Sequence, residues 1–487
     1  MGDTADGPDG DPADSSPTKT GFPIVDIVPE GDIVLDVTFE TSKETLKAAR
    51  RAAKPRPGQN VGPPPALKPE TRVGYRVQLS ALKQNSKYFD NLLSDTRFAE
   101  ARSIEQGFKE LSLRNVKPSE ADAGDLPVVR IHEDDEATRS AGHVSVFEDL
   151  LRILHRKQST SKAVTMHYLA VLAVLADRFD CTGIVSRYVS ALKYKWPATP
   201  ARPSRDDGPS LSRAGEEILR QKILVAWLLD QPLKLHAATR ELIMSGSRRW
   251  SASWEEEQAE TSTAAWWDLP DDLERELHHR RACILATIAS IQQHFLGLYT
   301  SRARQCKLGY DSSASCDSFQ LGEMIKFLTS RGLLFLTDFA SPACPAARDP
   351  ATVDIGSVLA TLKQCPSYQI DKNHANCGLR TRVLPIVEFV QAMLSSNVVS
   401  ISRQAWANNR EGTAWSLEEQ EEEEGRKEKR VFRFTRSLAT DSRLRYEGAM
   451  AADRMARDLF TADEWDWTAE ERDDVRGIEF GRWPAAR

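Results

Sequence analysis

Long hydrophobic runs are missing from this 487-residue chain. The longest apolar stretches, around residues 168–176 and 284–291, fall short of the roughly 20 residues that a membrane-spanning helix needs. The first residues, MGDTADGPDGDPADSSP, are acidic and have no apolar centre, so they do not resemble a secretory signal. We therefore expect no membrane partner and a location in the cytoplasm, the nucleus or both.

Cysteine is scarce, and neither sign of charge dominates. Seven cysteines in 487 residues are too few for a disulfide scaffold, so reduced thiols are expected. The net charge is −6, which gives no overall attraction to nucleic acid. A local basic segment, residues 43–56, carries six cations but no aromatic side chains for base stacking. We interpret it as a solvated insertion, with a nuclear import signal or a weak nucleic-acid contact as the alternatives.

Motifs of catalysis are also absent. The chain contains no nucleophile elbow, phosphate-binding loop, dinucleotide fingerprint or HExxH sequence. His155 and His167 lie beside apolar helix positions and are interpreted as hydrogen-bonded histidines at the edge of a core. A triad assembled from distant residues is recognised by geometry and stays open at this point. We expect a protein that is not an enzyme.

The patterns that are present predict an α+β chain: a small sheet capped by helices, then an all-α domain, with disordered termini. Alternating runs that begin at Gly31 and at Leu126 predict strands, and long apolar stripes after residue 212 predict helices. The predicted segments are disordered residues 1–22, an α/β domain at 28–195 with insertions at about 43–70 and 101–125, a linker at 196–212, a helical domain at 213–395, and an acidic, mostly disordered tail at 396–487.

A strand that runs directly into a helix stands out in residues 74–101, GYRVQLSALKQNSKYFDNLLSDTRFAEA. After the strand-like Tyr75–Leu79, four residues fall at i, i+4, i+7 and i+11, the spacing of one helix face. These four residues are Leu82, Ser86, Phe89 and Leu93.

Taken in order, the strands and helices of residues 30–195 resemble the BTB/POZ domain. With its helical extension the chain is most similar to BTB-domain proteins of filamentous fungi. The segments that carry the resemblance are Gly31-Asp32-Ile33 with Leu35, Tyr75-Arg76-Val77, Leu82 with Ser86, Tyr88 and Phe89, Val128–Asp135, Phe147 with Leu150, Leu151 and His155, and Ala176–Cys181.

The resemblance implies a docking module. Members of the family that bind cullin carry a hydrophobic-x-Glu motif after the helix that ends in Tyr-Phe, and Phe98-Ala99-Glu100 matches it. The leading interpretation is therefore a substrate adaptor of a cullin-type ubiquitin ligase, with Phe98 and Glu100 as partner-binding residues. The alternative is a self-associating scaffold or transcription-related regulator. Asp32 matches the acid of the ion pair in dimeric members, whereas Leu79 cannot supply the base.

One group of residues has the composition of a metal site. Cys306 and Cys316 flank a polar loop, and His374 and Cys377 form an HxxC pair. Three thiolates and one imidazole make a closed tetrahedral zinc site. A similar Cys…Cys-Asp…His…Cys pattern occurs in the fungal BTB-like proteins. The Cys306–Cys316 spacing exceeds that of a CxxC pair, so four ordinary reduced residues remain the alternative. The other cysteines are spare candidates (Cys344, Cys365) or core residues (Cys181, Cys283).

Overall fold

The computed structural model divides the chain into two compact units, residues 1–194 and 195–487. The α+β class is confirmed, with about 59% helix and a small mixed sheet. The predicted disorder of the first 21 residues lies outside the described part of the chain. The structure describes residues 22–52, 68–161, 164–199, 201–202, 210–251, 254, 264–306, 308–309, 311–334, 349–374, 377–416, 430–440 and 449–469.

The first unit is built on a four-stranded sheet in the order Ile24–Asp26 (β1), Glu70–Val77 (β3), Ile33–Glu40 (β2) and Val128–Asp134 (β4). Strand β2 pairs antiparallel with β3 and parallel with β4, while β1 pairs parallel with β3. Most of β2 is buried, as expected for a central strand with a nearly continuous apolar run. The strands and helices of the first unit are β1 Ile24–Asp26, β2 Ile33–Glu40, α1 Lys43–Ala52, β3 Glu70–Val77, α2 Leu79–Asn85, α3 Lys87–Ser94, α4 Ala99–Leu113, β4 Val128–Asp134, α5 His143–Leu154, α6 Met166–Arg178 and α7 Thr182–Ala191.

The core of this unit lies between the sheet and the helices that follow it. Aromatic rings join the two layers: Phe39 and Tyr75 of the sheet contact Phe147 of α5, which contacts Phe179 after α6. Six apolar residues of these helices are fully or almost fully buried, namely Leu82, Phe89, Phe147, Leu151, Leu172 and Leu175.

Truncating one of these core residues should be costly. Leu172 of α6 is completely buried, so Leu172→Ala should lower the free energy of unfolding by about 2–5 kcal/mol through lost burial and a residual cavity. Leu113, at the end of α4, is 87% exposed. The matched change Leu113→Ala should therefore cost about 0.5 kcal/mol or less. Chemical denaturation of the three proteins measures both values, and equal stabilities would contradict the packing described here.

The helix predicted from Leu82 to Leu93 is two helices, which is a correction. Its backbone is extended at Ser86, with φ −143° and ψ 120°. The Ser86 hydroxyl accepts a hydrogen bond from the Phe89 amide and donates one to the Phe179 carbonyl. The serine thus caps the second helix, α3. All four residues of the predicted stripe are nevertheless buried.

The two predicted insertions contain regular structure. Residues 101–125, expected to be a polar insertion, contain most of α4, and Leu111 packs with Ala121 and Leu126 against Val34 of β2. The polar residues of α4 face outward and concealed this amphipathic helix in the sequence. In the other insertion, α1 presents four exposed cations, Lys43, Lys47, Arg50 and Arg51, whereas Lys54 and Arg56 lie outside the described residues.

The second unit is helical around its longest helix, as predicted for residues 213–395. Between residues 212 and 416 the described residues contain no strand. The elements are β5 Ala201–Arg202, β6 Ser210–Leu211, α8 Arg213–Leu228, α9 Pro232–Ser245, α10 Leu273–Thr300, α11 Ser313–Ser330, α12 Ile355–Lys363, α13 Arg380–Met393, α14 Arg403–Asn408, α15 Arg410–Thr413, β7 Val431–Arg433, α16 Arg436–Thr440, α17 Ala449–Phe460 and β8 Glu464–Asp466.

Helix α10 is long and apolar enough, by length and composition alone, to cross a membrane. Its apolar stripe, which includes Ile284, Ile288 and Ile291, is buried within the second unit. The helix also buries Glu276 and Arg280, which form an ion pair with each other. These features are those of a central helix in a packed core.

The tail predicted to be mostly disordered from residue 396 is ordered over much of its length, which is a second correction. The Arg280 guanidinium donates hydrogen bonds to the carbonyls of Val398, Ser400 and Thr413. Strands β7 and β8 pair in parallel. The acidic composition of the tail hid aromatic side chains that are buried, namely Trp406, Trp415, Phe432, Phe434, Phe460 and Trp467. The run Glu421–Glu424 lies outside the described residues.

Candidate metal centre

Four residues predicted as metal ligands come together in the second unit. Cys306 lies in the loop after α10, and Cys316 lies in the first turn of α11. His374 ends a short 3-10 turn, and Cys377 comes three residues before α13. One ligand atom from each residue lies within 4.8 Å of the ligand atoms of the others. The group can hold a metal ion.

Three distances define the group. The Cys306 and Cys377 sulfurs are 3.7 Å apart. His374 Nδ1 lies 3.5 Å from the Cys306 sulfur and 3.6 Å from the Cys377 sulfur. The imidazole therefore turns its Nδ1 atom, and not Nε2, toward the thiols.

The other nitrogen of His374 is held by a serine. Nε2 lies 3.0 Å from the Ser312 hydroxyl oxygen, and the histidine is completely buried. With its proton on Nε2 donated to Ser312, the ring presents the Nδ1 lone pair to the cluster. Metal-bound histidines commonly have such a partner, which fixes the tautomer and the ring orientation.

The Cys306 loop is positioned by contacts outside the cluster. The Asp317 carboxylate of α11 accepts hydrogen bonds from the backbone amides of Gln305 and Cys306, both at 2.8 Å. Arg382 of α13 donates to the side-chain and main-chain oxygens of Gln305. The loop is thus tied to two helices by residues outside the group, and these contacts hold Cys306 in place.

The thiols differ in acidity. Burial opposes ionisation of Cys306, but hydrogen bonds with Ser313, the Leu308 backbone, Cys377 and His374 lower the pKa of this thiol to about 7. Burial and the neighbouring sulfurs raise the pKa of Cys316 to about 12. The protein alone therefore favours one thiolate, and three would repel one another. A divalent cation reverses this preference, because it stabilises each thiolate that it binds.

The remaining cysteines lie elsewhere. Cys365, a spare candidate, is buried and is not part of the group. Cys344 lies outside the described residues. Cys181 is buried after α6, in agreement with its interpretation as core, whereas Cys283 is half-buried, 3.4 Å from His279 Nε2.

In the first unit, Phe98, predicted to bind a partner, is exposed. It lies directly before the first residue of α4, and 43% of its surface is exposed. Glu100 lies in the first turn of the same helix, where a carboxylate complements the helix dipole. Tyr88 is also partly exposed. The buried part of its side chain and the charges of Glu100 and Glu133 raise the pKa of its hydroxyl, although the Arg178 charge lowers it. Binding of a partner by Phe98 and Glu100 stays a prediction.

A buried carboxylate that the sequence reasoning missed lies near this surface. The Glu133 side chain of β4 is buried and meets the half-exposed guanidinium of Arg178 at 3.1 Å. Burial raises the pKa of Glu133 to about 7, although Arg178 opposes the shift. The sequence pattern could have revealed it, because every second residue of β4 faces inward and Glu133 follows Val129 and Ile131 in that alternation.

The two histidines interpreted as core-edge residues are hydrogen-bonded. His155 Nδ1 lies 2.7 Å from the Leu151 carbonyl, and its Nε2 accepts a hydrogen bond from the Gln78 amide. His167 Nε2 lies 3.2 Å from the Ser140 hydroxyl. Both ring nitrogens of His155 are therefore occupied by structural contacts.

Comparisons of the chain with known proteins found no matching family model, no matching curated protein and no matching solved structure.

Proposed function

We propose that the chain is a non-enzymatic protein-interaction protein: a BTB/POZ-like first unit docks a partner, and a structural zinc ion stabilises the helical second unit. The observation that carries the zinc part is the closed group of Cys306, Cys316, His374 and Cys377. The observation that supports the docking part is the exposed phenylalanine at the start of α4.

The distances within the metal group suit tetrahedral zinc. Zn–S bonds of about 2.3 Å and a Zn–N bond of about 2.0 Å place sulfurs about 3.8 Å apart and a sulfur and a nitrogen about 3.5 Å apart. The Cys306–Cys377 sulfur distance is 3.7 Å, and the His374 Nδ1 distances are 3.5 and 3.6 Å. Four protein ligands leave no open position for substrate, so the role we infer is structural.

Elemental analysis tests the zinc proposal directly. The full-length chain, purified without added metal and dialysed, should contain about one tightly held zinc per molecule. Zinc that is absent from folded protein, or that is lost on dialysis, would contradict the proposal.

The first unit supports the BTB/POZ-like reading through its element order. A strand overlaps each of the three predicted runs, at residues 33–40, 70–77 and 128–134, and the three pair in one small sheet; Leu79, predicted to end the second strand, instead begins α2. Helices α2, α3, α5 and α6 then pack their apolar faces into the core. The family's proposed function, docking of another protein, needs no catalytic group, and His155 is occupied by structural hydrogen bonds.

Docking through Phe98 follows from its position. An exposed aromatic side chain adds apolar area to an interface, and such anchors usually dominate the binding energy. Glu100 lies two residues after Phe98 and is half-buried, and its carboxylate can meet a basic or polar group of the partner. We infer that this pair contacts a cullin-type scaffold of a ubiquitin ligase.

Variants at Phe98 test this inference. Phe98→Ala should weaken cullin binding by about 1–3 kcal/mol while leaving the melting temperature nearly unchanged, because the side chain is exposed. Glu100→Lys should weaken binding further through charge mismatch. Leu113→Ala, an exposed apolar truncation at the other end of α4, is the matched control and should bind like wild type. Calorimetric titration of the purified proteins measures these differences.

If the wild-type chain binds no cullin, the adaptor mechanism is wrong and self-association becomes the leading function. Light scattering of the full-length chain at increasing concentration then distinguishes an oligomer from a monomer. A monomer throughout would remove the self-association alternative as well.

A further inference from the structure

We propose that the metal centre is also a redox site: hydrogen peroxide joins Cys306 and Cys377 in a disulfide and thereby releases the metal ion. This inference rests on the proposed binding of zinc, and it adds a form of regulation to that site. Zinc–thiolate centres can respond to oxidants because the metal itself is redox-inert whereas its sulfur ligands are not.

The Cys306 and Cys377 sulfurs are close neighbours, and the backbone around them favours this pair. The Cys306 and Cys377 sulfurs are 3.7 Å apart, and closing a disulfide brings them to about 2.05 Å. Both residues lie outside helices, Cys306 after α10 and Cys377 ahead of α13. Their backbones can therefore adjust without unwinding a helical turn.

The third thiol is less suited to the reaction. Cys316 belongs to the first turn of α11 and is completely buried. Its backbone belongs to an 18-residue helix, so a backbone adjustment toward either partner would disturb the first helical turn. Cys377, by contrast, is only half-buried, which gives an oxidant access to the cluster.

The reaction balances with peroxide as the oxidant. Two zinc-bound thiolates, those of Cys306 and Cys377, lose one electron each and form the S–S bond. The O–O bond of hydrogen peroxide breaks, and the two electrons leave as two hydroxide ions. Zn²⁺ keeps its charge and dissociates, because only Cys316 and His374 remain as ligands. Thiol and zinc together reverse the change, with the thiol as the reductant.

In the oxidised protein only some of the connections made by the metal centre remain. The disulfide still joins the loop after α10 to the segment before α13. The start of α11, however, loses its bond to that segment, because Cys316 no longer shares a metal with Cys377. Oxidation therefore removes one link that holds the start of α11, while the hydrogen bonds of Asp317 and Ser312 remain.

Peroxide titration of the zinc-loaded full-length protein tests the proposal. Zinc release, followed with a metallochromic indicator, should proceed with the loss of about two free thiols per released ion. Trypsin separates the cysteines, since the ligands fall in peptides 305–307, 308–326 and 373–380. Mass spectrometry should find peptide 305–307 linked to peptide 373–380, while Cys316 in peptide 308–326 is alkylated as a free thiol. Cys283→Ser, which removes a half-buried thiol outside the group, should release zinc at the same peroxide dose.

Three results would overturn the redox inference: a predominant link between peptides 305–307 and 308–326, zinc release with only sulfinic acids formed, or retention of zinc at doses that oxidise Cys283. The zinc content before oxidation reports separately on the proposed function. If the chain holds no zinc, the zinc proposal fails, and the peptide map of the metal-free chain still decides whether Cys306 and Cys377 form the pair.

Discussion

Replacing Cys316 by serine should abolish tight zinc binding and lower the free energy of unfolding of the second unit by several kcal/mol. A serine hydroxyl does not ionise near neutral pH and is a poor zinc ligand, so the closed four-ligand set becomes three. Structural zinc supplies about 10–16 kcal/mol in isolated zinc-finger peptides. The loss should be smaller here, because the second unit also has a core of packed helices.

Two measurements check this expectation. Elemental analysis should show loss of zinc from Cys316→Ser, and thermal denaturation should show a lower melting temperature than wild type. Cys283→Ser is the matched control, since it makes the same change in a half-buried cysteine outside the group, and it should keep its zinc. A strong chelator added to the wild-type chain should reproduce the lower melting temperature. If Cys316→Ser keeps both zinc and stability, the site is not a structural metal centre.

Replacing Arg220 by methionine should destabilise the second unit by about 3–5 kcal/mol. Arg220 is completely buried in α8 and forms ion pairs with Glu216 at 3.1 Å and Glu274 at 2.8 Å. It also donates a hydrogen bond to the Ser247 hydroxyl at 2.6 Å. Methionine has a similar length but no charge, so two carboxylates would remain in the core without their cation.

The cost of Arg220→Met should depend on pH. In the wild-type chain burial opposes ionisation of Glu274, but Arg220 holds its pKa below the ordinary value. Without that cation, burial is opposed only by Arg249 and by the hydrogen bond from Trp250, so the folded-state pKa of Glu274 should rise above the unfolded one and the folded state should bind more protons. Stability of the variant should therefore rise as the pH falls through that raised pKa. Denaturation curves between pH 5 and pH 8 measure the change, and a pH-independent cost would contradict this account.

Two further variants separate charge from packing. Arg249→Met removes a more exposed guanidinium, one that pairs with the exposed Asp268 at 2.8 Å and lies 3.7 Å from Glu274, and it should cost about 1 kcal/mol, well below the cost of Arg220→Met. Adding Glu274→Gln to Arg220→Met should restore part of the lost stability, because it neutralises one of the carboxylates left behind. If the stability losses of Arg220→Met and Glu274→Gln simply add in the double variant, lost packing, rather than the uncompensated charge, causes the effect.

Three of the four strands of the first unit could be predicted because their apolar residues alternate or are continuous in the sequence, whereas the three-residue strand β1 is too short to give such a pattern. The break at Ser86 could not, since the residues on both sides keep one helical stripe, and only the Phe179 carbonyl explains why the serine leaves the helix. Helix α4 escaped prediction for a related reason: a single stripe that includes Ile104 and Leu111 is diluted by charged neighbours.

For the metal group, the sequence supplied the ligand types but not their support. The HxxC pair is local, whereas Cys306 and Cys377 are brought together across 71 residues by the packing of helices. Ser312 belongs to no motif, and its role emerges only from its contact with His374. Asp317 is the acid of the Cys…Cys-Asp…His…Cys pattern, but its role emerges only from its contacts with the backbone of the Cys306 loop. The buried Arg220 was equally invisible, because arginine is ordinarily a surface residue.

The pairing of β2 with both β3 and β4 has a consequence for biosynthesis. Val34 lies opposite Arg76 on one side and opposite Val128 on the other, so the central strand finds its last neighbour almost a hundred residues later. Contacts so distant in sequence close large loops and slow folding. During translation the β2–β3 pair can form early, but the apolar edge that awaits β4 stays uncovered until the ribosome has released residue 134. Over that interval the nascent chain, rather than the finished protein, is the form most exposed to wrong strand pairing.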